Sequence, residues 1–216
     1  MITTEITPPL RLLLVGATGA VGQHVLKQAL ADSRIGHVVA LTRRVLPSHA
    51  KLENHVVDFS KLPSDASWWK VDAVICTLGT TIKVAGSASA FAAIDRDVPV
   101  HVAKLTRNAG ATRFALNSSI GASLDGSFYL RTKAETEAGI REVAFPNYTI
   151  VRPSLIDTNR TESRPGESFA IFIARTFRLL IPKRYRAVKP ENIAHALLEG
   201  ALSNNGGERI IESDEL

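Results

Sequence analysis

Tyr129 and Lys133 stand four residues apart in Tyr129-Leu130-Arg131-Thr132-Lys133, and Ser119 precedes the tyrosine by ten positions. Residues at that spacing share a face if the segment is helical. A tyrosine ordinarily titrates at about 10, too high for proton exchange near neutrality, and a neighbouring ammonium lowers that value by favouring the phenolate. The expected chemistry is proton donation by Tyr129, assisted by Lys133, to an oxygen polarised by the Ser119 hydroxyl. Tyr/Lys pairs also occur on ordinary helix surfaces, where Ser118 and Ser119 would be turn or helix caps. The catalytic reading gains its weight from the residues upstream.

The run Leu12-Leu13-Leu14-Val15 leads directly into Gly16-Ala17-Thr18-Gly19-Ala20-Val21-Gly22, and a helical pattern follows. This is the form of a dinucleotide-binding turn, with the spacing G-x-x-G-x-x-G. Gly16 lets the chain leave the strand tightly, Gly19 lets a pyrophosphate approach the backbone, and Gly22 lets the helix pack on the sheet. The unpaired N–H groups at Ala20, Val21 and Gly22 and the helix dipole favour an anion, and the Thr18 hydroxyl can bond the turn or the ligand. With such a ligand, Lys133 gains a second task, holding ribose hydroxyls.

The end of the second expected strand selects the dinucleotide. A carboxylate there would bond the ribose hydroxyls of NAD. This chain has Arg43 and Arg44, 21 and 22 positions after Gly22. A guanidinium binds a 2′-phosphate bidentately and stacks on adenine, so NADP is expected over NAD. Asp58-Phe59 after the third strand and Leu78-Gly79 after the fourth are further candidate contacts, because ligands lie outside the carboxyl ends of such strands. The alternatives are a turn residue at Asp58 and a core residue at Phe59.

The elements that would position these groups alternate. Strands are expected near 12–15, 37–42, 56–57, 71–76, 113–118, 148–151 and 209–211. Helices are expected from 21 to near 32–33, over 95–109, 129–143, 169–180 and from 190, with a small-residue stretch over 85–93 that is partly helical and partly mobile. Pro99 is expected near the start of its helix or at a kink, and Gly110 as a C-cap. The alternation predicts an α/β fold, a doubly wound parallel sheet with helices on both faces. Residues 1–216 read as one domain, with the substrate-side elements mainly in a small segment at 154–190.

The chain has 216 residues, net charge +5 and one cysteine, Cys76. The basic balance favours an anionic partner, but no long basic run or aromatic-basic stripe points to nucleic acid. Arg160, Arg164, Arg175, Arg178, Lys183, Arg184 and Arg186 make the substrate-side segment basic, which suits an anionic small molecule or simply a solvated face. The six histidines show no paired metal-ligand spacing. A lone cysteine, no leader-like start and no membrane-length apolar run give a cytoplasmic setting as the expectation.

The chain resembles the atypical short-chain dehydrogenase/reductases, and within them the Tat-interacting oxidoreductase-like branch. The resemblance is carried by the glycine turn, Cys76-Thr77-Leu78-Gly79-Thr80-Thr81, Asp95-Arg96-Asp97, Ser118-Ser119, Tyr129 with Lys133, and Arg164-Pro165-Gly166-Glu167. It implies a Rossmann fold, NADP contacts at the glycine turn, Arg43, Leu78-Gly79 and Lys133, and a Ser119-Tyr129-Lys133 triad. The expected activity is NADPH-dependent hydride transfer to a small carbonyl-like substrate. Two alternatives are open: a non-catalytic NADP(H)-binding sensor that docks a protein partner, and a sugar-nucleotide epimerase, disfavoured by the short C-terminal region. A second copy of the chain is a further candidate partner.

Overall fold

The computed structural model describes residues 9–157 and 182–216. Its strands are β1 (Leu10–Val15), β2 (Ile35–Thr42), β3 (Leu52–Val56), β4 (Ala73–Cys76), β5 (Arg113–Asn117), β6 (Asn147–Arg152) and β7 (Gly207–Glu212). Its helices are α1 (Gly22–Ala31), α2 (Ile82–Ala85), α3 (Ala88–Ala92), α4 (Val98–Asn108), α5 (Phe128–Val143) and α6 (Pro190–Leu202). The expected helix at 169–180 and the Arg164–Glu167 motif lie outside the described residues.

The strands form one seven-stranded sheet in the order β3-β2-β1-β4-β5-β6-β7. Every pairing is parallel. The chain winds outward from β1 to β3, then returns to the other side of β1 at β4. The carboxyl ends of β1 and β4 therefore flank the crevice at which a doubly wound sheet reverses direction.

Alternate side chains of the central strands feed two cores. Leu12, Leu14, Val38 and Ala40 pack with Val25 and Ala29 of α1 and with Ile193 and Leu197 of α6. Leu13, Val15, Val39 and Leu41 pack with Val102 and Ala103 of α4 and Ile140 of α5 on the other face. Burial on both faces is why these strands read as continuous apolar runs rather than alternating ones.

The third strand lies earlier than the 56–57 expected from apolar content. β3 is an edge strand of sequence Leu-Glu-Asn-His-Val, and polar contacts hold it in place. Asn54 Nδ2 donates to the Ala40 carbonyl at 3.0 Å, and the Leu46 amide donates to Asn54 Oδ1 at 2.8 Å. Glu53 meets Arg11 Nη2 and His37 Nε2 at 2.8 Å each and His55 Nε2 at 2.6 Å. Partial burial works against ionisation of Glu53, but the bonds from His37, His55 and Arg11 outweigh it and hold the carboxyl at about 2, against 4.5 ordinarily. A depressed carboxyl pKa adds stability above the unfolded value, lost as pH falls through the folded one. Glu53→Gln is expected to lower the thermal midpoint at neutral pH. The gap to the unmodified protein should close between pH 4.5 and about 2. A pH-independent gap in thermal unfolding would contradict this.

The helix expected over 95–109 begins differently. Ala93–Asp97 form a π turn that α4 continues, and Pro99 sits in the first turn of α4, where its missing N–H costs little. The 85–93 stretch resolves into α2 and α3, capped by Thr81 and Ser87 and joined through Gly86 at φ +88°.

Candidate functional site

The glycine turn is built around contacts that side chains would destroy. Gly16 has φ +93°, and a Cβ there would stand 2.7 Å from Thr77 Oγ1. A Cβ on Gly22 would stand 2.0 Å from the Gly16 carbonyl oxygen, so α1 begins directly against the strand end. Thr77, just past β4, donates its hydroxyl to the Val15 and Gly16 carbonyls at 3.1 and 3.2 Å, locking the two loops that flank the crevice. Gly19 differs from both. A Cβ there would meet only the Gly16 carbonyl oxygen, at 3.3 Å, so its other side is open to a ligand. No side chain caps the start of α1. An open glycine before an uncapped ten-residue helix fits the pyrophosphate of a dinucleotide.

Helix α5 carries Tyr129 and Lys133 on one face. Lys133 Nζ lies 5.8 Å from the centroid of the Tyr129 ring. The lysine side chain is 7% exposed, whereas Tyr129 is 36% exposed, so the phenol stands nearer solvent than the ammonium behind it. Phe91 of α3 packs on the Tyr129 ring at 5.7 Å and on Phe128 at 5.9 Å. Lysine almost never buries without a counter-charge. The partner here is Asp95 of the π turn, whose Oδ1 is 2.7 Å from Nζ. The lysine that the sequence pairs only with tyrosine is thus also paired with a carboxylate, which offsets part of its field.

The two serines after β5 separate. Ser118 is buried and donates to Glu137 Oε1 at 2.5 Å. Glu137, itself 1% exposed, is gripped by Arg152 through Nε at 3.0 Å and Nη2 at 2.6 Å. Arg152 also donates to Glu212 at 3.0 Å, tying α5, β5, β6 and β7 together. Ser119 is half-buried, and among the described residues its hydroxyl makes only a long contact of 3.4 Å, to the Ile120 carbonyl.

Arg43 and Arg44 lie exposed just past the carboxyl end of β2. Thr42 Oγ1 donates to the Arg44 carbonyl at 2.7 Å and shapes that turn. Asp58 accepts from the Ser60 amide and hydroxyl at 2.9 and 2.7 Å, a turn role, and these bonds hold its carboxyl below the ordinary value. Phe59 packs half-buried against the core under α4 and α5. Leu78 packs on that same core, and Gly79 faces Asp95. Cys76 is fully buried, and burial pushes its thiol up to about 11, so it is inert at neutral pH. Among the basic residues of the 154–190 segment, Arg184 pairs with Glu212 at 3.5 Å; Arg160, Arg164, Arg175 and Arg178 lie outside the described residues.

Buried Asp95, Ser118 and Glu137, with the partly buried Arg152, form polar contacts that the sequence does not assign. Glu137 stands one turn beyond Lys133 on the same helix face, which was a usable signal. Asp95 reads from the sequence as the start of a helix and part of Asp95-Arg96-Asp97, because nothing in one sequence marks a π turn.

Comparison with known proteins gives the family and the fold. The family described as NAD(P)H-binding matches residues 16–170. The rat protein HTATIP2 is 34% identical over 206 residues, covering 91% of this chain and 83% of its own. "Protein fmp52, mitochondrial" of Emericella nidulans is 36% identical over 170 residues, covering 74% and 73%. Among solved structures, MoeE5 in complex with UDP-glucose and NAD superposes with TM-score 0.71 at 19% identity over 93% of this chain and 74% of its own. The Bordetella bronchiseptica enzyme WbmG in complex with NAD gives 0.66 at 18%, over 98% and 75%. At those identities the structures speak for the fold alone. The relatives overturn the cytoplasmic expectation, since several carry mitochondrial in their names. A single buried thiol fits any reducing compartment, so composition never distinguished among them. Among the described residues no helix is long and apolar enough to cross a membrane. By family match and relatives, the chain belongs to the NAD(P)H-binding family, and its seven-stranded parallel sheet is of the Rossmann type.

Proposed function

We propose that this chain is an NADPH-dependent oxidoreductase acting on a small carbonyl-like substrate. The observation that carries the reading is a buried, ion-paired lysine one turn behind a half-exposed tyrosine, linked through Asp95 and the 77–80 loop to an open glycine turn. The bound nicotinamide would supply the hydride. Tyr129 supplies the proton to the substrate oxygen, Ser119 donates a hydrogen bond to that oxygen, and Lys133 holds the ribose and favours the phenolate left behind. Gly16, Thr18, Gly19, Ala20, Val21 and Gly22 seat the pyrophosphate, Leu78 and Gly79 border the nicotinamide ribose, and Asp58 and Phe59 border the adenine. The whole chain acts as one domain; most of the 154–190 segment, where the substrate-side elements are expected, lies outside the described residues. The test is a screen of quinones, aldehydes and ketones followed by NADPH absorbance; no turnover of any class would contradict it.

Arg43 and Arg44 make the cofactor NADP in preference to NAD. Both are exposed at the end of β2, free to meet a 2′-phosphate. NADPH is expected to bind more tightly than NADH, and Arg43→Ala to narrow the gap about ten-fold, the worth of one charge-assisted contact. Fluorescence titration measures both, and equal affinities in the unmodified protein would contradict the assignment.

A further inference from the structure

We propose that Asp95 is the positioning residue of this site: it fixes where the Lys133 ammonium stands, and its charge sets how strongly that ammonium acts on Tyr129. The proposal rests on the reading of Tyr129 and Lys133 given above.

Both carboxylate oxygens of Asp95 are spoken for. Oδ1 meets Lys133 Nζ at 2.7 Å, and Oδ2 accepts from the Thr80 amide at 2.9 Å. The Asp95 carbonyl accepts from Thr136 Oγ1 at 2.9 Å, one turn along α5 from the lysine. The Asp95 side chain has no exposure, so it has nowhere else to turn. Thr80 follows Leu78 and Gly79 in the loop beyond β4, and a Cβ on Gly79 would stand 3.8 Å from Asp95 Oδ1. One carboxylate therefore joins the loop bordering the crevice to the helix bearing Tyr129 and Lys133.

The backbone is irregular where Asp95 enters. The π turn at Ala93–Asp97 departs from α geometry at the start of α4, and such turns are rare and concentrate at functional sites. A plain salt bridge on a helix surface needs no such device. Among the described residues, the groups facing the pair include Cys76 from β4, with its thiol neutral; the Thr80 amide from the loop beyond β4; Tyr129 and Thr136 from α5; and the apolar Phe91 of α3 against the tyrosine. Arg96 is turned to Asp97 and Glu135 on the outer side at 2.7 and 2.8 Å. Among the described residues, Asp95 is thus the carboxylate in contact with the ammonium, and the Tyr129 ring lies 5.8 Å from that same ammonium.

The test is a double-mutant cycle with Asp95→Asn and Lys133→Met, read by NADPH fluorescence titration. Asp95→Asn keeps volume and an acceptor for the Thr80 amide but releases the lysine. It is expected to weaken NADPH about ten-fold in the unmodified background and to change it less than about two-fold beside Lys133→Met, where no ammonium is left to position. Equal weakening in both backgrounds would overturn the proposal, since Asp95 would then act without Lys133. Should Asp95→Asn alone fail to fold, the comparison of Lys133→Met with the double variant stands, because removing a buried pair together is better tolerated than breaking it. There, a further ten-fold loss overturns the proposal and near-identity supports it. With a substrate in hand, the alkaline limb of kcat/KM for reduction is expected to move by about one pH unit in Asp95→Asn. An unmoved limb overturns the electrostatic half of the claim. Absence of turnover in the unmodified protein would instead contradict the catalytic reading and leave the NADPH cycle to decide the positioning role.

Discussion

Tyr129→Phe is expected to lower turnover of a carbonyl substrate about 10²–10⁴-fold, the usual worth of a positioned general acid, while NADPH affinity stays where it was. The substitution removes one hydroxyl and almost no volume. The ring keeps its packing on Phe91 and its place over Lys133, so the fold and the ammonium are left alone. At 36% exposure the phenol is not part of the buried core, so little stability is at stake. NADPH absorbance in steady state, with a parallel fluorescence titration, separates the two effects. Full activity in Tyr129→Phe would mean the proton comes from elsewhere.

The glycine turn is expected to divide into positions that serve the fold and one that serves the ligand. Gly22→Ala places a Cβ 2.0 Å from the Gly16 carbonyl oxygen, against backbone that cannot step aside. Overpacking of that kind costs about 3 kcal/mol or more, and a chain of this size then loses roughly 6–12 °C of thermal midpoint. Gly19→Val meets only one oxygen, at 3.3 Å, which a small local shift relieves. Its branched side chain instead fills the open side where a pyrophosphate must approach. That variant should unfold near the unmodified protein and fail to bind NADPH in titration. If Gly22→Ala melts normally, or Gly19→Val binds NADPH unchanged, the turn has been assigned wrongly.

These expectations show which parts of the molecule a single sequence exposes. The central strands are apolar on both faces because helices cover both, so β1, β2, β4 and β5 stood out. β3 did not, because Glu53, Asn54 and His55 hold it by hydrogen bonds and ion pairs rather than by apolar packing. The glycines announced a turn, but only the structure tells that Gly16 and Gly22 face protein while Gly19 faces outward. Spacing placed Tyr129 and Lys133 on one helix face. It gave no hint of Asp95, whose inward aim depends on a π turn, or of the Ser118-Glu137-Arg152 cluster, whose members come from three elements. Pairing of buried charges is a property of tertiary contact, and no local pattern records it.

The central claim is that NADPH lies across the carboxyl ends of β1 and β4 with its reactive end at Tyr129, and the direct measurement is a crystal structure with NADPH bound. The account predicts the pyrophosphate against Gly19 and the first amides of α1, the 2′-phosphate at Arg43, and the nicotinamide ribose on Lys133. It also places the Tyr129 hydroxyl beside nicotinamide C4, with room for a substrate oxygen between them. A cofactor bound elsewhere, or a nicotinamide turned away with Tyr129 facing bulk solvent, would contradict it.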